Sequence, residues 1–484
     1  MRDSASQAGA RAWVDTENGT VSREIFVSDN IFEQEMKNVF SRAWLMVGHE
    51  SQIPNPYDFF VSRMGRESVI LTRSGDGEIH VFLNTCRHRG MKVCRYDEGN
   101  TRVFSCPYHG WSYAIDGKLD RIPGALVGVP HYKAAYHEEL DRSAWGLITV
   151  PRLARYKGTV WASWDKNAPD FEHYLGGMKV YLDAVLDHRD GSPGGSQVIC
   201  GIQKWVVPSN WKFGAENFAG DLYHITSHRS VDMVGIGPSG KGRRDEPKAK
   251  KTDHGKARSP IVTASVGFPA HGHGVIGTLP YFEEPEYRDS FGLTPEVDDY
   301  YREVAHTREK NLGDQLRVQS FVGTVFPNLS FHGQQPRAIF TWHPNGPTEM
   351  EVWKWYLVDA DAPANVKDVL RRYYLRYAGP AGLTEQDDME NWAYATSASN
   401  GIEALRYPYN YQMGMGYEQR VPEIDGALFT RQVTEQNQRI FYERWGQFMD
   451  ADSWDDLQGA PTQTSSGTLD DDAANSANHA GQPQ

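Results

Sequence analysis

Two short pairs of cysteine and histidine constrain the fold of this chain more than any other feature. They are Cys86-Arg-His88 and Cys106-Pro-Tyr-His109, with 17 residues between His88 and Cys106. Two thiolates and two imidazoles can hold a [2Fe–2S] cluster, with both cysteines on one iron and both histidines on the other. They can also form a structural zinc site, but zinc fingers usually place two cysteines before two histidines. The spacing therefore favours the cluster and leaves zinc as the alternative.

The segments around these pairs are typical of β-hairpins. Apolar and β-branched residues predominate in Glu67–Leu71 and Ile79–Leu83, and the Ser-Gly-Asp-Gly sequence between them is a turn signal. Arg102–Cys106 and Trp111–Ile115 predict a second hairpin. Both ligand pairs are therefore expected on loops at strand ends, in a site built from β-strands.

Composition and charge exclude several classes of protein. The chain has 484 residues, enough for two or three domains with a large core, and its net charge of −13 argues against general nucleic-acid binding. No apolar run approaches the ~20 residues that cross a bilayer, so no membrane partner is expected. Met1–Ser4 does not lead into the apolar stretch of a signal peptide, and four cysteines are too few for a disulfide framework. We expect a cytoplasmic protein.

Two segments are predicted to be helical. Ser28–Trp44 begins with a capping residue, Ser28 or Asp29, and continues with apolar residues at helical spacing. Phe171–Leu186 shows the same spacing before a Gly-Ser-Pro-Gly-Gly sequence breaks it. The region between these two helices is strand-rich, so the expected fold class is α+β.

Three segments are expected to lie outside the packed core. Residues 1–20 are small and polar, and the tail at 459–484 is rich in Asp, Ala, Asn, Gly and Gln, which predicts a flexible N-terminus and a disordered tail. Segment 237–258 carries eight Lys or Arg against three acids. A solvated, mobile loop is the simpler interpretation of this basic segment, and a lid over a pocket is the functional one.

A second candidate metal site follows Trp211. Asn217, Asp221, His224 and His228 recur at i, i+4, i+7 and i+11, which predicts that they share one face of a continuous helix. This polar stripe contains no Lys or Glu and its neighbours are apolar, unlike a solvent-exposed helix face. A buried polar stripe needs partners, and a metal ion would supply them.

The third ligand of that site is expected from the acidic stretch that begins at Glu385. His224 and His228 can bind one ion, and non-haem Fe(II) would add a carboxylate to complete a 2-His-1-carboxylate face. On spacing alone, Glu385, Asp387 and Asp388 are equal candidates. Acids at a helix start are also common as caps or as partners of the helix dipole.

Two motifs and two flanking segments together are similar to one protein family. The motifs are Asn84–Gly90 and Cys106–Trp111, and the flanking segments are Phe40–Trp44 and Tyr442–Trp445. In these residues the chain resembles the large (α) subunit of Rieske non-haem iron aromatic-ring-hydroxylating dioxygenases. The resemblance covers roughly residues 20–458.

The resemblance implies an α+β fold of two domains. An all-β Rieske [2Fe–2S] domain would occupy residues 41–165. The catalytic domain would combine residues 21–40 and 166–458, with an antiparallel sheet and surrounding helices enclosing a mononuclear iron pocket.

The resemblance also implies a role for individual residues. Cys86, His88, Cys106 and His109 would hold the cluster, and His224, His228 and Asp388 would hold the mononuclear iron. Asp221 would connect the two centres by bonding to His109 of the partner subunit and to its own His224, and Asn217 would lie near the iron. The substrate pocket would be lined by Phe218, Leu222, Ile225 and residues near Phe326–Phe331.

The implied activity is dioxygenation of an aromatic small molecule with O2 to a cis-dihydrodiol. Electrons would come from NADH through a reductase and a ferredoxin, and the chain would assemble with a small β subunit as α3β3. A Rieske monooxygenase or O-demethylase is the alternative within oxygenases. Outside them, an electron carrier with the cluster alone would leave the Asn217–His228 stripe unexplained. A zinc-stabilised binding protein is a further alternative, and it would show no visible absorption. The arene itself cannot be deduced from these residues.

Overall fold

The computed structural model describes ten stretches of the chain: residues 9, 12–121, 126, 129–221, 223–233, 263–280, 294–313, 315–334, 336–431 and 433–458. The basic segment 237–258 and the tail 459–484 lie outside the described residues, so their predictions stand as stated. Within the described residues, no helix is long and apolar enough to cross a membrane.

The strands, in chain order, divide into several sheets. They are β1 Val14–Asp15, β2 Thr20–Val21, β3 Leu45–His49, β4 Asp58–Met64, β5 Glu67–Arg73, β6 Ile79–Leu83, β7 Glu98–Asn100, β8 Val103–Ser105, β9 Ser112–Ala114, β10 Arg152–Tyr156, β11 Thr159–Ser163, β12 Ser196–Val207, β13 Thr263–Phe268, β14 His273–Thr278, β15 Ser320–Val325, β16 Leu329–His332, β17 Ala338–Gly346, β18 Glu349–Asp359, β19 Tyr409–Asn410, β20 Gln419–Arg420 and β21 Leu428–Thr430.

The helices are spread along the chain, and the four longest lie in its second half. They are α1 Asp29–Glu35, α2 Tyr132–Ala135, α3 Phe171–Leu175, α4 Lys179–Leu186, α5 Trp211–Gly220, α6 Arg229–Met233, α7 Pro295–Leu312, α8 Ala364–Tyr377, α9 Glu385–Ser399, α10 Gln436–Asp450 and α11 Trp454–Gln458. A π-helical turn, Met36–Phe40, continues α1, and a 3-10 turn, His224–His228, precedes α6. The expected α+β fold class is confirmed.

Strands β3 to β11 form the β-built part that carries the two Cys/His pairs. Sheet β6-β5-β4-β7, sheet β10-β11-β3 and hairpin β8-β9 are all antiparallel. The first Cys/His pair follows β6 and the second lies between β8 and β9, as predicted. A separate apolar core, which includes Phe59, Phe82, Trp111 and Tyr113, lies beneath the two loops.

A nine-stranded antiparallel sheet organises the rest of the chain. Its order is β12-β18-β17-β16-β15-β14-β13-β21-β20. The register of β15 to β18 places Val322, His332, Ala338 and Tyr356 side by side, and we call this set the His332 row. The neighbouring row, called the Phe340 row, contains Thr324, Ser330, Phe340 and Lys354. Cross-strand partners point to one face, so each row presents its side chains together.

Helix α5 covers the face on which the Phe340 row lies. The hydroxyl of Thr324 donates to the carbonyl of Ala215 in α5 at 2.7 Å, and Phe218 packs on Phe340 with 4.6 Å between the ring centroids. Helix α9 contacts the same face through Trp392, whose ring lies 5.4 Å from that of Trp342. The two helices with candidate ligands therefore share one side of the sheet.

A buried carboxylate joins α1 to this part of the molecule. Glu35 is fully buried and lies 2.5 Å from Nζ of Lys212 at the start of α5. Its oxygens also accept from the indole nitrogens of Trp211 at 2.9 Å and Trp445 at 2.8 Å. Three donors compensate the cost of burying this charge, so α1 is held against α5 and α10.

The structure corrects two details at the N-terminal end. The predicted flexible segment 1–20 is wrong for its last residues, because β1 pairs with β2, and β2 pairs with β19. The predicted helix from Ser28 to Trp44 begins as expected, with the Ser28 hydroxyl accepting from the backbone of Ile31 at 3.4 Å. It ends at Phe40, because Leu45 already belongs to β3.

Two candidate metal sites

The two Cys/His loops of the first site share one backbone design. In each loop the residue four positions after the cysteine is a glycine, Gly90 or Gly110, which donates to that cysteine's carbonyl at 2.9 and 3.0 Å. Their φ angles, +73° and +70°, lie in the left-handed region that favours glycine. Each loop therefore turns tightly and directs its cysteine inward, and both Cys86 and Cys106 are buried.

The histidines of the two loops lie beside each other. The rings of His88 and His109 have centroids 4.6 Å apart, and His88 stacks on Trp111 at 5.2 Å. Burial, with a smaller effect of His109 and Arg89, lowers the pKa of His88 and keeps it neutral. Nδ1 of His88 is buried without a hydrogen-bond partner among the described residues, as a nitrogen reserved for a metal would be.

The cysteines of the first site fit a cluster as well. Burial raises the pKa of the Cys106 thiol, with Cys86 beside it, so neither is an exposed reactive thiol. The Tyr113 hydroxyl accepts from the backbone of Arg87 at 3.0 Å and lies 3.3 Å from Sγ of Cys86. Its own proton can therefore point at the sulfur, as hydrogen-bond donors to the sulfur ligands of iron–sulfur clusters do. Two neighbouring thiols and two neighbouring imidazoles on paired loops fit a [2Fe–2S] group.

Three donor groups converge at the second site. Nε2 of His224 lies 3.6 Å from Oδ1 of Asp388, and Nε2 of His228 lies 3.5 Å from the same oxygen. The ligand atoms offered by these three residues all lie within 4.8 Å of one another. An ion about 2 Å from each atom could bridge such separations. The donor set is that of a 2-His-1-carboxylate iron site.

Hydrogen bonds fix both imidazoles of this site in the required tautomer. Nδ1 of His224 faces the backbone carbonyl of Asp221 at 2.6 Å, and Nδ1 of His228 faces a carboxylate oxygen of Asp387 at 3.3 Å. A carbonyl or carboxylate oxygen can only accept, so each Nδ1 carries the proton. Once Nε2 carries no proton, each ring presents its lone pair toward Asp388, where a metal would lie.

The ionisation of the site is strongly perturbed. Burial opposes charge on His224, but the carboxylates of Asp221 and Asp388 outweigh it and raise the pKa of His224 to about 9. Burial raises the pKa of Asp388 to about 6, although His228 and His224 pull it down. The space between His224, His228 and Asp388 thus favours a positive charge, and a bound metal cation would provide it.

The three acids that spacing left equal have three different positions. Asp388 faces both Nε2 atoms, and Asp387 orients His228 from behind. Glu385 forms a buried ion pair with Lys354 of β18 and accepts from the backbone of Gly379 at 2.6 Å. One acid is therefore placed as a ligand, one orients a ligand, and one holds the start of α9.

The predicted continuous helix face is wrong. Helix α5 ends at Gly220, and Asp221 leaves helical geometry with φ −84° and ψ 76° before the turn at His224–His228 begins. Close packing accompanies this break, since a Cβ on Gly220 would lie 2.8 Å from Asn437. The break lets Asp221 present its own carbonyl to His224, which a regular helix would have bonded internally.

Asp221 and Asn217 lie next to each other beside the second site. The amide of Asn217 donates to Oδ2 of Asp221 at 3.2 Å, while Oδ1 of Asp221 is buried, accepts no hydrogen bond among the described residues and lies 3.5 Å from Nδ1 of His224. Both line a cavity of about 190 Å³ with the carboxylates of Glu216 and Glu435 and the ring of Tyr223. This cavity is acidic and borders the residue expected to connect the two centres.

The predicted substrate-pocket residues are only partly placed. Phe218 is buried against Phe340 and Trp342. Leu222 and the side chain of Ile225 lie outside the described residues. The ring of Phe326 packs on α10 through Phe441 and Phe448, and the expectation that residues near Phe326–Phe331 line the pocket stays a prediction.

The sequence patterns did not identify two residues near the second site, His332 and Lys354. Lys354 interrupts the apolar run of β18 and is buried, and Nζ lies 4.3 Å from the centroid of the Phe340 ring. A lysine is rarely buried without a partner. The lysine within the apolar sequence of β18 was therefore the signal that could have indicated a buried, paired residue. His332 occurs at the end of an alternating strand, where the sequence carried no distinct signal.

Two protein families match the sequence. The one described as Rieske [2Fe-2S] domain matches residues 43–133, and the one described as Ring hydroxylating alpha subunit (catalytic domain) matches residues 171–451. The second match alone spans more than half of the chain.

Named relatives agree with these matches. The chain is 38% identical over 462 residues to the biphenyl dioxygenase subunit alpha of Metapseudomonas furukawaii, covering 93% of this chain and 94% of the relative. The structure of naphthalene 1,2-dioxygenase from Rhodococcus sp. bound to indole superposes with a TM-score of 0.72 at 37% identity, covering 90% of this chain and 95% of that one. The N,N-dimethyl phenylurea N-demethylase subunit alpha of Sphingobium sp. (strain YBL2) is 32% identical over 455 residues, covering 89% and 91%.

Proposed function

The chain belongs to the family of ring-hydroxylating dioxygenase alpha subunits, and from that premise we propose that it adds both atoms of O2 to an aromatic ring to give a cis-dihydrodiol. The observation that carries the proposal is the convergence of His224, His228 and Asp388 in a chain that also bears the paired Cys/His loops. Two imidazoles and one carboxylate leave open positions on iron for an oxygenase reaction.

The chain is an oxidoreductase with two cofactors, a Rieske [2Fe–2S] cluster and a mononuclear non-haem iron. Cys86, Cys106, His88 and His109 hold the cluster in our proposal, and His224, His228 and Asp388 hold the mononuclear iron. When bound, the cluster supplies single electrons and the mononuclear iron activates O2.

The side chains around the second site keep its ligands in position and the pocket dry. Asp387 holds the Nδ1 proton of His228, and the Asp221 carbonyl holds that of His224, so neither ring can turn away from Asp388. The packed rings of Phe218, Phe340 and Trp342 provide an apolar surface on the sheet side. Such a surface suits a neutral arene and excludes water.

Asp221 connects the two centres between neighbouring subunits in this proposal. Its buried Oδ1 accepts no hydrogen bond among the described residues, and Asp221 lines the acidic cavity. The Cys/His loops carry Arg87, Arg89 and an exposed Tyr108 around their histidines. A basic loop tip and an acidic cavity are complementary in charge. Docking of the two would allow Asp221 to accept a hydrogen bond from the partner subunit's His109 while contacting its own His224.

The assembly and the electron supply extend the proposal. An alpha subunit is one component of a larger enzyme. We assign it a small β subunit in an α3β3 arrangement, a ferredoxin and an NADH-dependent reductase, and a cytoplasmic location. The domains are assigned as 41–165 for the cluster, and 21–40 with 166–458 for catalysis, a division supported by the bonds of Glu35 to Lys212 and Trp445.

A second function has a specific observation in its favour. A relative at 32% identity is named as the alpha subunit of an N,N-dimethyl phenylurea N-demethylase, a demethylating enzyme. Monooxygenation transfers one oxygen atom of O2 to the product and releases the other as water, whereas dioxygenation transfers both. The fate of the two atoms therefore separates the candidates.

The test is oxygen labelling of the product. The purified enzyme, supplied with its β subunit, ferredoxin, reductase and NADH, is incubated with biphenyl or naphthalene under ¹⁸O2, and the product is analysed by mass spectrometry. The proposal predicts a cis-dihydrodiol with both oxygen atoms labelled. A product with a single labelled oxygen would favour monooxygenation and contradict it.

A further inference from the structure

His332 ends β16 on the sheet face that α5 covers. The hydroxyl of Ser330, two residues earlier, contacts that of Thr324 at 2.7 Å, and Thr324 in turn donates to the carbonyl of Ala215 in α5. Side chains two residues apart in a strand point to the same face. The imidazole of His332 therefore points to the side of the sheet on which α5 lies.

His332 combines deep burial with some accessible surface. The ring lies deep within the protein, yet part of the residue remains accessible to water. Val322, its partner in the His332 row, is also only partly buried, in contrast to the neighbouring Phe340, which is buried. In our inference this accessible surface faces a space inside the protein.

That space lies on the way to the second metal site. Helix α5 begins above Trp342, since a Cβ on Gly214 would lie 2.6 Å from that ring, and one turn later Phe218 packs on Phe340. The helix thus advances along β17 toward the His332 row, and its next turn leads into the segment that carries the two histidine ligands.

Charged neighbours connect His332 to α9 as well. The groups that act on its ring are Lys354 and Glu385, which pair with each other, and the buried Arg189. Glu385 opens α9, one helical turn before the ligand Asp388. Helix α5, which leads into the histidine segment, and helix α9, which carries Asp388, therefore both approach the sheet face on which His332 lies.

The hydrogen bonding of His332 leaves one nitrogen free as an acceptor. Nδ1 faces the carbonyl of Gln334 at 3.2 Å, so this nitrogen carries the proton. Burial, together with the nearby Lys354 and Arg189, lowers the pKa of His332 to about 4, against smaller opposing effects of Gln334 and Glu385. The ring is neutral at physiological pH, and its Nε2 presents a lone pair.

We infer that Nε2 of His332 is a hydrogen-bond acceptor in the wall of the substrate cavity, and that the chain prefers arenes that carry an N–H or O–H donor. This inference rests on the proposed function for the identity of the cavity and goes beyond it in naming the substrate class. The remaining described wall is apolar at Phe218 and Val322, so His332 gives the cavity a polar end. A pure hydrocarbon would leave the lone pair unsatisfied.

The test compares two ligands of the same shape, indole and indene. Indole carries an N–H where indene carries a CH2 group, and indene is the more apolar of the two, so burial alone favours indene. Dissociation constants are measured by equilibrium dialysis on the oxidised holoenzyme, without reductant. We expect indole to bind about tenfold more tightly, the effect of one satisfied hydrogen bond.

Three variants isolate the role of the imidazole. His332→Leu removes the acceptor and should abolish the preference for indole, whereas His332→Gln supplies an amide oxygen and should restore part of it. Val322→Ala, the matched control in the same row, changes the volume of the cavity without a polar group and should leave the ratio unchanged. A structural role confined to the bond with Gln334 would not alter the ratio in any of them.

The outcomes separate this inference from the proposed function. Equal affinity for the two ligands, no saturable binding of either, or an unchanged ratio in His332→Leu would overturn the inference. Product analysis under ¹⁸O2 is carried out in parallel on the same enzyme. Labelled dihydrodiols together with an indole-to-indene affinity ratio that His332→Leu leaves unchanged would support the proposed function and overturn only the inference. The expected affinity ratio without any oxidised product would contradict only the proposed function.

Discussion

At the scale of single residues, local spacing identified ligands that lie close together in the sequence. It did not identify the ligand that a distant segment contributes. The Cys/His pairs could be predicted because each pair lies within one loop, where the sequence distance sets the spatial distance. The choice among Glu385, Asp387 and Asp388 could not be made from spacing. It depends on how α9 is rotated against α5, which tertiary packing decides. The resemblance to a family indicated Asp388, and the geometry places that residue between both Nε2 atoms.

The connecting role of Asp221 leads to a prediction at the same scale. Asp221→Asn should retain both metals, because none of the proposed ligands changes, and should lower the turnover rate by about 100-fold. An amide has one acceptor oxygen and no charge, so it cannot serve two imidazoles as the carboxylate does. Iron and sulfide content, together with product formation, provide the measurement.

The control for this variant is Asp170→Asn. Asp170 is an exposed carboxylate that pairs with Arg152 on the surface, at 2.7 Å. It should keep normal turnover. Wild-type turnover in Asp221→Asn would refute the connection between the centres.

At the scale of secondary-structure elements, the sequence predicted where helices begin better than where they end. Ser28 caps α1 as expected. The stripe from Asn217 to His228 is interrupted at Asp221, where α5 ends beside the closely packed α10. Lys354 and Glu385 join β18 to the start of α9, a contact between distant segments that no local pattern contains. Tertiary contacts therefore set the final position of the segments that carry the candidate ligands.

The Lys354–Glu385 pair gives a prediction for α9. Lys354→Met leaves Glu385 buried without its cation, which should lower the free energy of unfolding by about 3–5 kcal/mol. Because Asp388 lies in the same helix, the mononuclear iron content should fall while sulfide stays unchanged. Thermal unfolding and metal analysis measure the two effects.

A double variant checks the cause of that loss. Adding Glu385→Gln to Lys354→Met removes the unpaired charge and keeps an oxygen for the backbone of Gly379. Much of the lost stability should return. A double variant no more stable than Lys354→Met would mean that the ion pair is not what holds α9.

At the scale of the whole molecule, the predicted α+β class and the division into a β-built cluster part and a sheet with helices are observed. The sequence did not predict how a distant segment completes each part. Glu35 near the N-terminus bonds to Trp445, and Thr20 and Val21 of β2 pair with β19. These contacts join segments about 400 residues apart, and no periodic pattern records such pairings.

Buried neutral histidines make the stability of the whole fold sensitive to acid. Burial lowers the pKa of His49 from 6.5 to about 4, so the unfolded chain binds its proton first as the pH falls. The contribution of His49 is complete above pH 6.5 and is lost progressively toward pH 4. Between pH 7.5 and 5.5 this single residue should cost about 1 kcal/mol of stability.

The measurement compares wild type with His49→Asn. Asparagine keeps an acceptor for the backbone of Ser51, which His49 now caps, and does not titrate. The difference between the two unfolding free energies should shift in favour of the variant by about 1 kcal/mol as the pH is lowered from 7.5 to 5.5. A difference that does not depend on pH would show that His49 is not the group responsible.

Metal and sulfide analysis with EPR spectra, on protein purified anaerobically, tests the central claim most directly. The claim predicts about three irons and two sulfides per wild-type chain, with a Rieske-type signal on reduction. Asp388→Ala should keep the signal and lose about one iron, whereas Cys86→Ser should lose the sulfide and about two irons. Zinc in place of iron, or full iron content in Asp388→Ala, would contradict the account of two iron sites in one chain.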